Sequence, residues 1–155
     1  MSGTVEKRLA DLGIELPKAA APAANYVPFV ITGKTVFVSG QITMLNGELQ
    51  YVGRLGADFG VDEGAQAARL CALNLIAQVK AACDGDLDRV KRVVKLGGFV
   101  NCTPDFTDHP KVVNGASDLM VEVFGDAGKH ARFAVGAPSL PLGIAVEVDG
   151  IFEIA

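Results

Sequence analysis

Apolar residues recur along this chain at two periods, near 3.6 and near 2, and the switches between them outline the elements. Residues 4–13 (TVEKRLADLG) predict a short amphipathic helix stopped by Gly13. "ELPKAAAPAANY" is rich in Ala and Pro and reads as an extended connector. Tyr26–Thr32 and Thr35–Ser39 are β-branched and aromatic runs separated by "GK", which predicts a hairpin. Residues 44–60 carry Gly and Asp turns around one short strand, Leu49–Val52.

The longest helical signal covers Asp62–Cys83. Ala68, Ala72, Leu75, Ile76, Val79 and Cys83 repeat at three and four, and Asp62 and Glu63 suit a helix N-terminus. After "DGDLD", Val90–Asn101 reads as a long strand whose Gly97-Gly98 pair marks a bulge or a close backbone contact. "CTPDFTDH" is a loop. Pro110 opens a second helix, with Asp108 or His109 as its cap and Gly125 as its stop. Val112, Ala116, Leu119, Met120 and Val123 form its apolar face, and Lys111, Asn114, Asp118 and Glu122 its polar one. Gly115 suits close helix packing. Ala131–Ala137 and Ile144–Ile154 are the closing strands, expected as a hairpin.

This order, ββ(β)αβαββ, predicts an α+β sandwich with both long helices on one face of a sheet. Its other face would stay apolar unless a second subunit covers it. The 155 residues are expected to form one domain, with residues 1–24 as an N-terminal extension. Half of the residues are hydrophobic and the mean hydropathy is +0.33, yet no apolar run is long enough to span a bilayer. A subunit interface is the natural place for the excess. The charged start, MSGTVEKRLADLG, lacks the apolar core of a signal peptide.

Net charge is −4 and the pI about 5.1, with no Lys/Arg block that would make a nucleic-acid footprint. In "RVKRVVK", Arg89–Lys95, the cations alternate with valines and read as one solvated strand face. Aromatics are 6% and Trp is absent, so stacking platforms are scarce. Cys71, Cys83 and Cys102 show neither a CxxC nor a matching His spacing. They read as buried free thiols in a reducing cytoplasm.

Arg132 and Glu147 stand out, because both interrupt runs that otherwise read as buried strand. Folding the closing strands about Ser139 and Leu140 sets one opposite the other. A cross-strand salt bridge on a wet face would then be worth roughly 0.2–1 kcal/mol. The alternative is an anion clamp beside a carboxylate base. An arginine offers a planar fork to a substrate carboxylate, and the glutamate could orient or deprotonate water.

From about Asn25 onward the chain resembles the Rid/YjgF family, the reactive enamine/imine intermediate deaminases once called perchloric-acid-soluble ribonucleases. "NYVPFVITGKTVFVSGQI", "VNGASDLMVEVFG", "HARFAVG" and "LPLGIAVEVDGI" carry the resemblance. The N-terminal helix and "GASDLMVEVFGDAGKHAR" look like the family's longer, roughly 155-residue branch. The resemblance implies homotrimers of a chorismate-mutase-like (bacillus type) fold, a mixed sheet with two helices on one face, and clefts between subunits. Arg132 matches the residue that binds the substrate carboxylate, and Glu147 the one that positions the hydrolytic water. Tyr26, Ser39 and Asn114 match cleft residues. The family's active deaminases commonly place Ser or Thr and then Cys after the arginine. Here Phe133 and Ala134 follow, with Phe133 on the strand face opposite Arg132 and Ala134 on the same face.

The implied reaction is hydrolysis of a small enamine or imine to a keto acid and ammonia, with no metal or organic cofactor. The substrates already react with water, so orientation and one charge clamp could suffice. A non-catalytic trimer that binds small carboxylates or a protein partner is the second reading, favoured by Phe133 and Ala134. An endoribonuclease is the third and weakest. The chain is acidic, lacks a basic stripe, and offers only His109 and His130 as bases near neutral pH.

Overall fold

The computed structural model describes residues 3–21 and 25–155. Residues 22–24 of the connector, like residues 1–2, lie outside it. Helix α1 (Thr4–Asp11) ends as predicted, with Gly13 at φ 70°. Strands β1 (Phe29–Thr32) and β2 (Thr35–Gln41) form the expected hairpin, pairing Thr32 with Thr35 around Gly33-Lys34. The first strand is shorter than predicted and leaves Tyr26 outside it. Pro28 cannot donate to a ladder; instead its carbonyl accepts from Ser39 N at 2.9 Å.

The strand expected at Leu49–Val52 is not formed. Asn46-Gly47, both at positive φ, instead turn β3 (Met44–Leu45) back on β4 (Glu48–Leu49). Such an Asn-Gly pair is a strong tight-turn signal. Tyr51 follows at φ 50°, which ends any extended run.

Helix α2 (Val61–Ala82) and helix α3 (His109–Phe124) match the two long helical periods. At the start of α2, Glu63 reaches back to accept from Gly60 N at 3.0 Å. Asp108 occupies the cap position of α3 but makes no side-chain capping bond. It pairs with Lys111 instead, at 3.7 Å. The two helices touch at Gly115, where a Cβ would collide with the Ala65 carbonyl. All five predicted apolar positions of α3 are buried.

Strand β5 (Val90–Asn101) has the predicted bounds, but its bulges lie between Val90 and Arg92 and between Val93 and Lys95. They convert the expected alternation into a period of three, with Val90, Val93 and Leu96 buried and Val94 exposed. The Gly97-Gly98 pair is a site of close approach. A Cβ on Gly98 would stand 2.7 Å from Val113 of α3 on one face. One on Gly97 would stand 2.6 Å from the Phe133 ring on the other.

The five-stranded sheet runs β1-β2-β7-β5-β6. Strand β6 (Ala131–Ala137) pairs parallel with β5, and β7 (Val146–Ile154) pairs antiparallel with both β5 and β2. The closing hairpin expected from the sequence is therefore absent, because β5 lies between β6 and β7. The reason is α3. A strand, a helix and a returning strand make a parallel crossover, which sets β6 beside β5. Residues 138–145, with two prolines and a 3-10 turn at Pro141–Gly143, then carry the chain across the end of β5.

The core lies between the sheet and α2/α3, where Val36, Val38, Leu96, Val100, Val148 and Phe152 meet the helices. The opposite face carries no helix. Phe37, Phe99 and Val135 remain 39–44% exposed there, as the apolar composition predicted. No described helix is long and apolar enough to cross a membrane.

Candidate active site

The register decides how Arg132 and Glu147 relate. Arg132 sits beside Leu96, whose other neighbour is Gly150. Glu147 sits beside Phe99, whose other neighbour is Val135. Three rungs separate them, an odd number, so they point to opposite faces of the sheet. The predicted cross-strand pair does not exist, and with it goes the salt-bridge reading of these residues.

Arg132 lies on the helix side of the edge strand β6. Its Nη1 donates to Ser117 Oγ at 3.0 Å and its Nη2 to the Pro110 carbonyl at 3.2 Å. Pro110, Asn114 and Ser117 follow one another at four and three, so Asn114 stands on the same helical row between the two anchors. Ser117 is itself held. Its Oγ is 2.8 Å from His130 Nε2, and His130 Nδ1 is 2.6 Å from the Gly128 carbonyl. A carbonyl can only accept, so Nδ1 carries the proton. In the neutral ring Nε2 then accepts from the Ser117 hydroxyl, and the Ser117 lone pairs face Arg132. The guanidinium is thus oriented by neutral groups, with no carboxylate in salt-bridge range among the described residues. Its charge stays available to an anion.

Glu147 lies on the open face, half-buried, against Gly40. A Cβ at Gly40 would collide with Glu147 Oε2. Gly40 sits in a bulge, where the register of β2 against β7 slips between Val38 and Gln41. Burial pushes the Glu147 carboxyl above its ordinary value, and the Asp149 charge pushes it the same way. Burial also raises Asp149, against the opposing pull of the Gly97 N–H and the Lys95 ammonium. A carboxylate of raised pKa is a stronger base toward water.

Tyr26, Ser39 and Gly40 line one cleft of about 160 Å³, together with Pro28, Gln41 and Leu142. Tyr26 is 53% exposed. Ser39 Oγ donates to the Val27 carbonyl at 2.8 Å, which ties the Tyr26 segment to the bulge. Phe133 faces the open side, edge-on to Phe99 at 5.3 Å and under the Lys95 ammonium at 5.6 Å. Ala134 returns to the helix side and packs on the core.

The six residues singled out in the sequence therefore fall into two groups within one chain. Arg132 and Asn114 share the β6–α3 edge. Glu147 and Phe133 share the open face, and Tyr26 and Ser39 line the neighbouring cleft at Gly40, the residue against which Glu147 lies. Sequence reasoning missed Ser117, Gly40 and Asp149, and named His130 only as a possible base for RNA cleavage. Helical spacing from Pro110 and Asn114 could have found Ser117, and two-residue spacing from Glu147 could have found Asp149. The bulge that demands Gly40 leaves no such period.

Comparison with known proteins agrees with this fold. Residues 6–153 match the family model "YjgF/chorismate_mutase-like, putative endoribonuclease". The chain is 54% identical to Protein TCP17 of Trypanosoma cruzi, covering 99% of this chain and 96% of that one. It is 30% identical to a 2-iminobutanoate/2-iminopropanoate deaminase of Dermatophagoides farinae, covering 91% and 94%. Among solved structures it superimposes on Atu1372 of Agrobacterium tumefaciens, a protein of unknown function, with a TM-score of 0.91. That pair is 49% identical over 97% of this chain and 92% of the other. The chain belongs to the YjgF/Rid family.

Proposed function

We propose that this protein hydrolyses small enamines or imines that carry a carboxylate, giving a keto acid and ammonia, in a cleft built between the subunits of a homotrimer. The observation that carries the proposal is the pairing of two incomplete halves. An arginine is held ready for an anion on one edge of the fold. A carboxylate of raised basicity stands on a bare apolar face on the other side of the sheet. Neither half catalyses alone, and a cyclic assembly would bring the edge of one copy to the face of the next. Arg132 then fixes the substrate carboxylate, with Asn114, Tyr26 and Ser39 around it and Phe133 as an apolar wall. Glu147 takes a proton from the attacking water. The 30%-identical deaminase supports this chemistry.

Ala134 favours a second reading, a trimer that binds small carboxylates without turning them over. Beside Arg132 the strand contributes no polar group that could help a reaction. The net charge of −4 speaks against RNA as a substrate. Three free, buried cysteines suit a reducing cytoplasm.

A 2-imino acid generated in situ, followed for keto acid and ammonia, separates the first two readings. Turnover above the spontaneous rate is expected. Binding of 2-oxobutyrate without turnover would establish the second. Sedimentation should show three copies of the 16.1 kDa chain. A monomer at micromolar concentration would contradict both.

A further inference from the structure

Cys102 differs from the other two cysteines in its surroundings. Cys71 is fully enclosed, with Sγ 3.3 Å from the Val146 carbonyl, and burial drives its pKa upward. Burial likewise raises Cys83. Cys102, just past the end of β5, has its Sγ 3.4 Å from His109 Nε2. The pair lines a cleft of about 290 Å³ at the open end of the β5–β6 pair.

Three features read as preparation of that pair. The His109 ring is fixed by Phe106, which packs edge-on at 5.5 Å. Gly136 of β6 has no positive φ, so its backbone does not require glycine. Its missing side chain matters instead, since a Cβ there would stand 2.7 Å from His109 Nε2 and 2.9 Å from Cys102 Sγ. Glycine at this position keeps a side chain off the pair, so that Cys102, 7% exposed, still lines the cleft. Finally, Arg54 reaches into the same cleft. Its Nη2 donates to the Cys102 carbonyl at 3.1 Å, while its Nε is buried and finds no protein partner. Among the described residues no acidic one lines the cleft, although Asp105 accepts from its Thr103 at 2.7 Å.

We propose that Cys102 and His109 form a second reactive site, a thiol nucleophile with an imidazole base, for small electrophiles that carry a carboxylate. A nucleophile within hydrogen-bond reach of an oriented base, beside a cation on the wall of a cleft, is the arrangement that activates cysteine. With an α,β-unsaturated acid, Sγ bonds to the β-carbon and the π pair moves to the α-carbon. The thiol proton passes through His109 Nε2 to that carbon, so the adduct forms with nothing lost. With a halo-acid, Sγ displaces the halide, which leaves with its bonding pair, and His109 keeps the proton. Arg54 selects the carboxylate in both cases.

The test is alkylation of the intact protein by iodoacetate and by iodoacetamide, read by peptide mass spectrometry at all three cysteines, with glutathione as the reference. Cys102 should be labelled while Cys71 and Cys83 remain intact. The ratio of iodoacetate to iodoacetamide rates should exceed that of glutathione. His109→Gln should slow labelling by about 10²-fold, the usual reach of one acid–base group. Gly136→Ala should slow it by covering the pair, and Arg54→Gln should remove only the preference for iodoacetate. Arg132→Lys should change none of this, which separates the site from the Arg132 anion clamp. Melting curves identify any variant that fails to fold, and the wild-type comparison stands without the variants. Cys102 labelled no faster than Cys71 and Cys83, or at an unchanged rate in folded His109→Gln, would overturn the proposal. A glutathione-like rate ratio would overturn its choice of ligand.

Discussion

The β6–α3 edge and the open sheet face solve opposite problems. At the edge, Arg132 is completed from within its own chain. Ser117 and the Pro110 carbonyl hold it, and His130 and the Gly128 carbonyl hold Ser117. On the open face, Glu147 and Asp149 stand among exposed apolar side chains, with raised pKa values and no described cation in salt-bridge range. The edge holds its charge oriented by its own chain, whereas the face holds its charges without a partner among the described residues.

Breaking the finished side should have the largest effect. Arg132→Lys supplies a point charge without the fork. Calorimetric titration with a 2-keto acid should show a loss of about 2–5 kcal/mol. Unchanged affinity would make Arg132 a structural contact to α3 only. Glu147→Gln should leave that affinity in place but lower imine turnover by about 10²-fold. The same variant tests the pKa direction. Between the ordinary carboxylate range and the raised folded value, the folded state holds a proton that the unfolded chain has released. Stability from Glu147 therefore falls as pH rises through that window and is level above it. Glu147→Gln should remove this slope from the melting temperature and leave only the part due to Asp149. A slope as steep as in wild type would mean that the carboxyl is not desolvated.

Gly40→Ala sharpens the comparison from the other side. The new methyl group must displace the Glu147 carboxylate, so turnover should fall while keto-acid affinity holds. Equal turnover would show that the Glu147 position is not critical. Ser117→Ala should have the smallest effect. One charge-assisted hydrogen bond is worth about 1.5–3 kcal/mol at most, and the Pro110 carbonyl still holds Nη2. Keto-acid affinity should weaken modestly. Ser117→Thr, which keeps the hydroxyl, should restore it. Wild-type affinity in folded Ser117→Ala, or no recovery in Ser117→Thr, would deny Ser117 a positioning role.

Much of this fold was legible. The long helices, the bounds of β5, the first hairpin and the bare apolar face all follow from periodicity and Gly/Pro punctuation. The short strand at Leu49–Val52 overlooked the Asn46-Gly47 turn signal, while the misplaced closing hairpin has a different cause. Local pattern identifies strands but not their neighbours. Folding β6 onto β7 about "PSLPLG" ignored the crossover that α3 imposes, and so placed Arg132 opposite Glu147. The bulges in β5 and at Gly40 were illegible for a related reason, since each insertion shifts the period it would be read from. Of the site, the charged residues were legible because they interrupt apolar strands. Ser117 and His130, polar residues in ordinary surroundings, gained meaning only from their distances.

Subunit complementation tests most directly whether the two halves meet between chains. Arg132→Ala and Glu147→Gln proteins, each expected to be severely impaired in imine hydrolysis, are unfolded together in equal amounts and refolded. In a cyclic trimer with each site taking Arg132 from one copy and Glu147 from the next, random mixing leaves about one quarter of the sites intact. The account predicts recovery of roughly that share of wild-type turnover. A mixture no more active than its two components would contradict it and return both residues to separate roles within the single chain.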